Sequence, residues 1–259
     1  MIRLENLTLA YGSRTLIRDV TAAMPHGRLT ALVGRNGTGK STLLRAIAGL
    51  GEAAAGRILL DGRAVESLSP AETAATVALV TTDKVRIADL RCRDVVALGR
   101  APYTNWIGRM QAADREIVER SLALVGMEDY ADKTMDRMSD GECQRIMIAR
   151  ALAQQTPVML LDEPTAFLDM PNRYELCTLL RRLAREENKC VLFSTHELDI
   201  ALALCDDIAL ISPPDLRHMP TDEMVRSGCI ERLFTGDTVA FDPATRNIIV
   251  RDRNNDRTS

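Results

Sequence analysis

Gly34-Arg35-Asn36-Gly37-Thr38-Gly39-Lys40-Ser41 has the spacing G-x-x-x-x-G-K-S, a set of residue types able to close around phosphate oxygens. Glycines let successive backbone N–H groups curl toward an anion, the lysine ammonium reaches the terminal phosphates, and the serine hydroxyl can ligate magnesium. A glycine-rich turn before a helix is the bland alternative. Leu29 to Val33, however, reads as a short buried strand running into the loop, and Thr42 to Leu50 carries apolar residues at helical spacing. A second glycine-bearing turn, Met138-Ser139-Asp140-Gly141-Glu142, opens a helix-like segment that continues through Gln144, Ile148 and Leu152. Helix starts present positive partial charge and free N–H groups, so the chain carries two phosphate-seeking ends. If both serve one nucleotide, the geometry requires two copies of the chain.

The apolar run Val158-Met159-Leu160-Leu161 ends in Asp162-Glu163. A carboxylate at the end of a strand can reach magnesium, usually through water. Glu163, one residue further on, can orient and deprotonate an attacking water. In isolation the pair reads equally well as a strand cap against Pro164; beside a phosphate loop the chemical reading is the stronger.

These residues need a scaffold, and 259 residues with 46% hydrophobic content can bury a large core. A formal net charge of −3 gives no bulk attraction to nucleic acid, so no nucleic-acid partner is expected. The six cysteines, at 92, 143, 177, 190, 205 and 229, contain no CxxC pair, and with three histidines they suggest neither a zinc cage nor a disulfide framework. Reduced thiols are the simpler expectation. Residues 1 to 12 lack a signal-peptide core, and no window approaches the roughly 18 uninterrupted apolar residues of a membrane span. Any membrane role is expected to come through a partner.

Ile2, Leu4, Leu7 and Leu9 before Tyr11-Gly12 read as a strand and turn, and Arg57 to Asp61 returns to strand character. Residues 91 to 153 are mainly helical in pattern, interrupted at Ala101-Pro102 and around Asn105 to Arg109. From 158 strands and helices alternate: Val158 to Leu161, Arg173 to Glu187, Cys190 to Ser194, Ile208 to Ile211. That rhythm implies a mainly parallel sheet covered on both faces. Pro213-Pro214 and Pro220 break it, and the end from Asp252 to Ser259 is expected to fray.

Taken together, these motifs resemble the ATP-binding subunit of an ATP-binding cassette transporter, over nearly all of the chain through residue 212. Gly34 to Ser41 matches that family's phosphate loop, Met138 to Glu142 its signature sequence, and Val158 to Glu163 its second nucleotide motif. Ala166-Phe167-Leu168-Asp169 resembles the loop that crosses its dimer interface, His196 falls at its switch histidine, and Tyr11 sits where it stacks an aromatic ring on adenine. A lone histidine before a helix is otherwise commonly a polar cap, and a strand-end tyrosine commonly packing. The resemblance implies an α/β fold, with a P-loop NTPase core of mainly parallel sheet, an N-terminal antiparallel β-subdomain and an inserted helical subdomain. One cassette domain would span 1–259: a nucleotide-binding core at 1–90 and 154–212, a helical signature subdomain at 91–153 and a C-terminal extension at 213–259.

By the same resemblance, Gly34, Arg35, Asn36, Gly37, Thr38, Gly39, Lys40, Ser41, Thr42, Tyr11 and Asp162 would bind nucleotide, with Glu163 and His196 catalytic. Ser139 and the backbone N–H of Gly141, within a signature of Ser139, Asp140, Gly141 and Glu142 acting in trans, would bind the γ-phosphate held by the other subunit's Lys40, and Asp169 would lie at the dimer interface. ATP and Mg2+ are the implied cofactors, the metal held by Ser41 and Asp162. The family's coupling glutamine aligns with Thr82, whose hydroxyl reaches less far, and neighbouring Asp83 could substitute as a harder ligand. Asp140 stands for the signature's usual first glycine and Glu142 for its glutamine. A carboxylate there would repel a triphosphate unless it points outward or caps the helix, and the cap is the favoured reading.

The segment Ala97 to Arg109, with Tyr103 and Trp106, resembles subunits that power uptake of iron-siderophore complexes, heme or cobalamin. The aromatic pair can pack on a partner helix or close its own subdomain. The implied protein is a homodimeric ATPase, peripheral on the cytoplasmic face of the inner membrane. Its expected partners are integral-membrane permease subunits and, indirectly, an extracytoplasmic substrate-binding protein. The alternatives are a soluble cassette ATPase without a permease, or a phosphoryl-transfer enzyme acting on a small substrate.

Overall fold

The computed structural model describes residues 1–82, 89–103, 110–166, 168–234 and 238–250. It opens with an antiparallel ribbon, β1 (Ile2–Tyr11) and β2 (Arg14–Met24), followed by β3 (Arg28–Val33), the glycine loop and α1 (Lys40–Ile47). β4 (Ala55–Leu60), β5 (Arg63–Ala64), α2 (Pro70–Thr76) and β6 (Val77–Val80) come next. Three helices then form the inserted layer: α3 (Cys92–Ala97), α4 (Ala112–Leu124) and α5 (Asp140–Ala153). The chain returns as β7 (Val158–Leu161), α6 (Met170–Glu186), β8 (Cys190–Thr195), α7 (Leu198–Leu204) and β9 (Asp207–Ser212). It closes with β10 (Asp215–Pro220), α8 (Thr221–Arg226) and the hairpin β11 (Val239–Asp242) and β12 (Asn247–Val250).

Six strands form the central sheet in the order β10-β9-β3-β8-β7-β6, parallel except for the edge strand β10. Apart from β10, its strands are buried on both faces, which is why they read as continuous apolar runs. Successive side chains go to opposite faces. Leu29, Ala31, Val33, Met159 and Leu161 therefore join one core with the inserted helices, α6 and α7. Leu32, Val158 and Leu160 join another with α1 and the antiparallel sheet β2-β1-β4-β5.

β2 is absent from the sequence reading for a physical reason. Asp19 has a positive φ of 52°, and the burial of β2 does not alternate, so no period of two is visible. A matching irregularity at Asn6, φ 47°, separates Leu4 from Leu7 by three residues yet leaves both buried on the core side. The boundary drawn at 212 falls inside the central sheet: β10 pairs residue by residue with β9, so residues 215–220 sit with the core. Pro213-Pro214, which read as a break in the pattern, form the turn of a β9–β10 hairpin. The tail from 252 lies outside the described residues.

The inserted layer is fixed by close contacts around its aromatic segment. A Cβ on Gly99 would lie 2.2 Å from the carbonyl oxygen of Arg150, so the chain passes α5 only because residue 99 has no side chain. Next to it, buried Arg100 pairs with Asp114 at 3.0 Å and donates to the Ala153 carbonyl at 2.8 Å and to Gln155 Oε1 at 2.9 Å. Tyr103 stacks under the Arg100 guanidinium at 4.1 Å and donates its hydroxyl to the Gln154 carbonyl at 2.9 Å. Of the two uses open to this tyrosine, its contacts are those of closing its own subdomain; Trp106 lies outside the described residues.

Candidate functional site

Parallel register sets the site. Val33 of β3 pairs with Thr195 of β8, and Leu161 of β7 with Phe193. The loops after all three strands therefore emerge at the same carboxyl edge of the sheet, where ligands bind in open α/β folds. These are the loops that carry Gly34 to Gly39, Asp162-Glu163 and His196.

The first loop is shaped by glycine where nothing else fits. Gly39 has φ 105°, and a Cβ there would press on Leu16 at 2.9 Å; Gly34 is packed so that a Cβ would meet the Ile211 carbonyl oxygen at 2.9 Å. Thr38 ties the turn by donating its hydroxyl to the Arg35 carbonyl at 2.8 Å. Lys40 is buried at the first position of α1, its ammonium 3.0 Å from the Gly34 carbonyl oxygen and 3.7 Å from Glu163 Oε1. A cleft of 520 Å³ gathers Asn36, Gly37, Gly39, Lys40, Ser41 and Thr42 with Tyr11, Arg14, Leu16 and Glu163. Tyr11 ends β1 and is 76% exposed, a ring face open for stacking.

Asp162 and Glu163 are held by a residue the motif reading gave no role. Ser194, fully buried at the end of β8, donates its hydroxyl to Asp162 Oδ1 at 2.6 Å and accepts the backbone N–H of Glu163 at 2.8 Å. Its only sequence signal is a small hydroxyl closing the apolar run Val191-Leu192-Phe193. Among the described residues this is the one hydrogen bond to the Asp162 carboxylate, which leaves its other oxygen for a hard cation. Glu163 adopts φ 45°, an uncommon conformation for a non-glycine residue, and its Oε1 lies 4.0 Å from His196 Nδ1. The carboxylate is thus placed between Lys40 and His196.

Ser139 to Glu142 do not line this cleft. Ser139 is the N-cap of α5, and with Glu142 it forms a reciprocal capping box: Ser139 Oγ accepts the Glu142 N–H at 3.3 Å, while Glu142 Oε2 accepts the Ser139 N–H at 2.8 Å and its hydroxyl at 2.8 Å. The Ser139 backbone N–H is the main reason the Glu142 carboxyl is held below the usual range, with Ser139 and Tyr130 hydroxyls and Lys133 adding to it. Of the two extra carboxylates, Glu142 takes the capping role. Asp140 is the first residue of α5, and a Cβ added at Gly141 would lie 3.4 Å from Leu168 Cδ2.

Asp169 is exposed and caps α6, accepting from Asn172 N at 3.1 Å and Nδ2 at 2.6 Å. Thr82 is exposed two residues beyond β6, whose Val80 carbonyl accepts the Asp162 N–H at 2.8 Å; Asp83 lies outside the described residues. No group of three or more His, Cys, Asp or Glu suited to a metal exists among the described residues, so a cation here would rest on Ser41 and Asp162 with other oxygen donors. No helix among them is long and apolar enough to cross a membrane.

With this geometry in place, known proteins give a consistent comparison. The family model described as ABC transporter matches residues 17–166. An uncharacterized ABC transporter ATP-binding protein of Methanocaldococcus jannaschii is 40% identical over 211 residues, 82% of this chain and 73% of that protein. A siderophore transport system ATP-binding protein of Bacillus subtilis, named as probable, is 39% identical over 235 residues, 90% of this chain and 86% of that one. Among solved structures, a dimeric ATP-binding cassette in a post-hydrolysis state with ADP and Pi superposes with a TM-score of 0.71 at 25% identity, covering 85% of this chain and 99% of its own.

Proposed function

The chain belongs to the ABC transporter family, and on that premise we propose that it is the ATP-hydrolysing subunit of an importer, working as a homodimer in which each ATP is enclosed by two copies. Its ATPase activity follows from the family; the split site is our reading. One observation carries it: the cleft that gathers Lys40, Ser41 and Glu163 has no wall from Ser139 to Glu142. A second copy can bring that helix start to the open side, adding backbone N–H groups where negative charge must be held.

In this arrangement Tyr11 stacks on the adenine, residues Gly34 to Gly39 cradle the phosphates, and Lys40 turns from the Gly34 carbonyl to the terminal phosphates. Ser41 and Asp162 would hold Mg2+, which supplies charge neutralisation at the phosphate oxygens. Glu163 accepts the proton of the attacking water, and His196 hydrogen-bonds the γ-phosphate and responds to its departure. Positioning and charge stabilisation account for most of phosphoryl-transfer catalysis, which is why so many fixed donors converge here. Ser139 of the second copy completes the enclosure and couples nucleotide to dimer closure.

The name of the Bacillus subtilis relative supports a siderophore cargo, within the wider class of iron-siderophore, heme and cobalamin complexes that the 97–109 segment resembles. The chain would then sit on the cytoplasmic face of the membrane against permease subunits, with an extracytoplasmic binding protein delivering cargo. Mixing Lys40→Ala subunits with Ser139→Ala subunits tests the shared site, since one composite site then carries both lesions and the other neither. Activity in the mixture, absent from either variant alone, is the expected result; equal inactivity of all three removes the split site. Co-purification of a permease tests the importer reading.

A further inference from the structure

Arg173 lies near the start of α6, outside every nucleotide motif, yet it bridges two loops that face different nucleotides in the dimer proposed above. Its Nε donates to the Leu168 carbonyl at 2.6 Å, and a terminal guanidinium nitrogen sits 2.5 Å from Glu197 Oε1. Leu168 precedes Asp169 in the interface loop and is buried; Glu197 follows His196 directly. A Cβ added at Gly141, at the start of α5, would lie 3.4 Å from Leu168 Cδ2, so the two residues adjoin. On the other side, Glu197 is fixed by its own backbone N–H, which donates to Thr195 Oγ1 at 3.0 Å, and its carboxylate is 10% exposed. His196 and Lys40 then reach Glu163 from either side at 4.0 and 3.7 Å.

A series of neighbouring residues thus runs inside one subunit from Gly141 through Leu168, Arg173, Glu197 and its chain neighbour His196 to Glu163. Its first member faces the partner's nucleotide and its last faces the subunit's own. We propose that Arg173 is a positioning residue for hydrolysis: it locks the interface loop to the His196 loop, so that closure around one ATP aligns Glu163 and His196 at the other. The two sites of the dimer then hydrolyse cooperatively. A planar guanidinium suits this task because its rigid fork serves two acceptors at once, which a lysine ammonium on a flexible stem does poorly. The link carries a coupling free energy between the two sites that can be measured. It rests on the homodimer reading.

The test compares the ATP dependence of steady-state hydrolysis for the parent, Arg173→Ala, Arg173→Lys and Glu197→Gln, with affinity for a fluorescent ATP analogue measured separately. Loss of the link is expected to lower kcat about tenfold and bring the Hill coefficient from near 2 to near 1, while nucleotide affinity stays within about twofold. Arg173→Lys keeps the charge and much of the packing, so it reads out the link if Arg173→Ala fails to fold. A parent Hill coefficient of 1, or parental kcat and Hill coefficient in Arg173→Lys and Glu197→Gln, overturns the proposal. Light scattering of Glu163→Gln with ATP separates the two levels. A dimer with unaltered cooperativity in the Arg173 variants sinks the link alone, and no dimer sinks the split site and the link together.

Discussion

The hydroxyl of Ser139 donates to the carboxylate of Glu142 at 2.8 Å, and the backbone N–H of Glu142 returns to Ser139 Oγ at 3.3 Å. The Ser139 hydroxyl proposed to meet a partner's γ-phosphate is therefore already satisfied within the subunit by a carboxylate, and the Glu142 N–H by Ser139 Oγ. Closure has to exchange one acceptor for another, and the carboxylate stays near the incoming phosphate. Glu142→Gln is expected to lower the ATP concentration for half-maximal dimer closure about fivefold. That corresponds to the ~1 kcal/mol exchanged by unit charges a few ångströms apart in a water-like dielectric. Light scattering in a Glu163→Gln background measures it.

The same residue gives a pH signature. The pKa of Glu142 is lower in the fold than in the unfolded chain, chiefly through the Ser139 N–H. Its contribution to stability is complete above the unfolded value, about 4.3, and is lost as pH falls through the depressed folded value. Thermal midpoints measured through this acid range are expected to fall less steeply for Glu142→Gln than for the parent. Parallel profiles for the two would show that the capping box adds no pH dependence.

Ser194 joins the carboxylate of Asp162 to the backbone N–H of Glu163, so Ser194→Ala tests what their placement contributes. Removing the hydroxyl leaves the Glu163 N–H without its acceptor and the Asp162 carboxylate without its donor. An unsatisfied buried group costs about 1–3 kcal/mol, which sets the expected loss in denaturant stability. Glu163 also loses the contact that holds its φ of 45°. The expected kinetic result is a lower kcat with little change in KM for ATP, because Lys40, Ser41 and Tyr11 are untouched.

The difference between Ser194 and Lys40 shows which parts of the site are legible in sequence. Lys40 is fixed by a local spacing, since the six residues before it, Gly34 to Gly39, build its own loop, and the strand and helix on either side are short-range patterns. Ser194 acts through register: it reaches Asp162 only because β8 pairs in parallel with β7, thirty-two residues away in the chain. Arg173 is similar, its partners lying in two loops separated by α6 and β8. In the fold, the parallel strands are legible as apolar runs, whereas β2 is masked by the irregularity at Asp19, and β10 begins after two prolines that read as a break. Long-range pairing and backbone irregularity, not residue type, decide what sequence leaves unread.

Arg100 offers a stability test away from the nucleotide. It is buried, bonded to Asp114, the Ala153 carbonyl and Gln155, and its deletion leaves a carboxylate and a helix-end carbonyl without that donor. Removing one member of a buried pair costs about 3–5 kcal/mol. Arg100→Ala is expected to lower the urea midpoint accordingly, whereas replacing both Arg100 and Asp114 by apolar residues of similar size should recover much of that loss. Recovery is limited by α4, whose N-terminal cap also uses Asp114 through the Gln111 N–H at 2.9 Å.

Glu163 supplies the sharpest test of the chemistry, because its carboxylate is placed by backbone rather than by a flexible stem. The N–H bond to Ser194 and the positive φ aim it between Lys40 and His196. An amide at this position keeps the shape and hydrogen bonding but cannot take a proton from water. Glu163→Gln should therefore bind ATP and accumulate as a closed dimer while hydrolysis falls at least ~10²-fold, the lower end for loss of a general base. His196→Ala should also reduce hydrolysis, without the same accumulation, because it removes a contact to the γ-phosphate rather than the proton acceptor alone. If Glu163→Gln turns over at the parental rate, the base is another group, and the placement of this carboxylate serves only to hold Lys40.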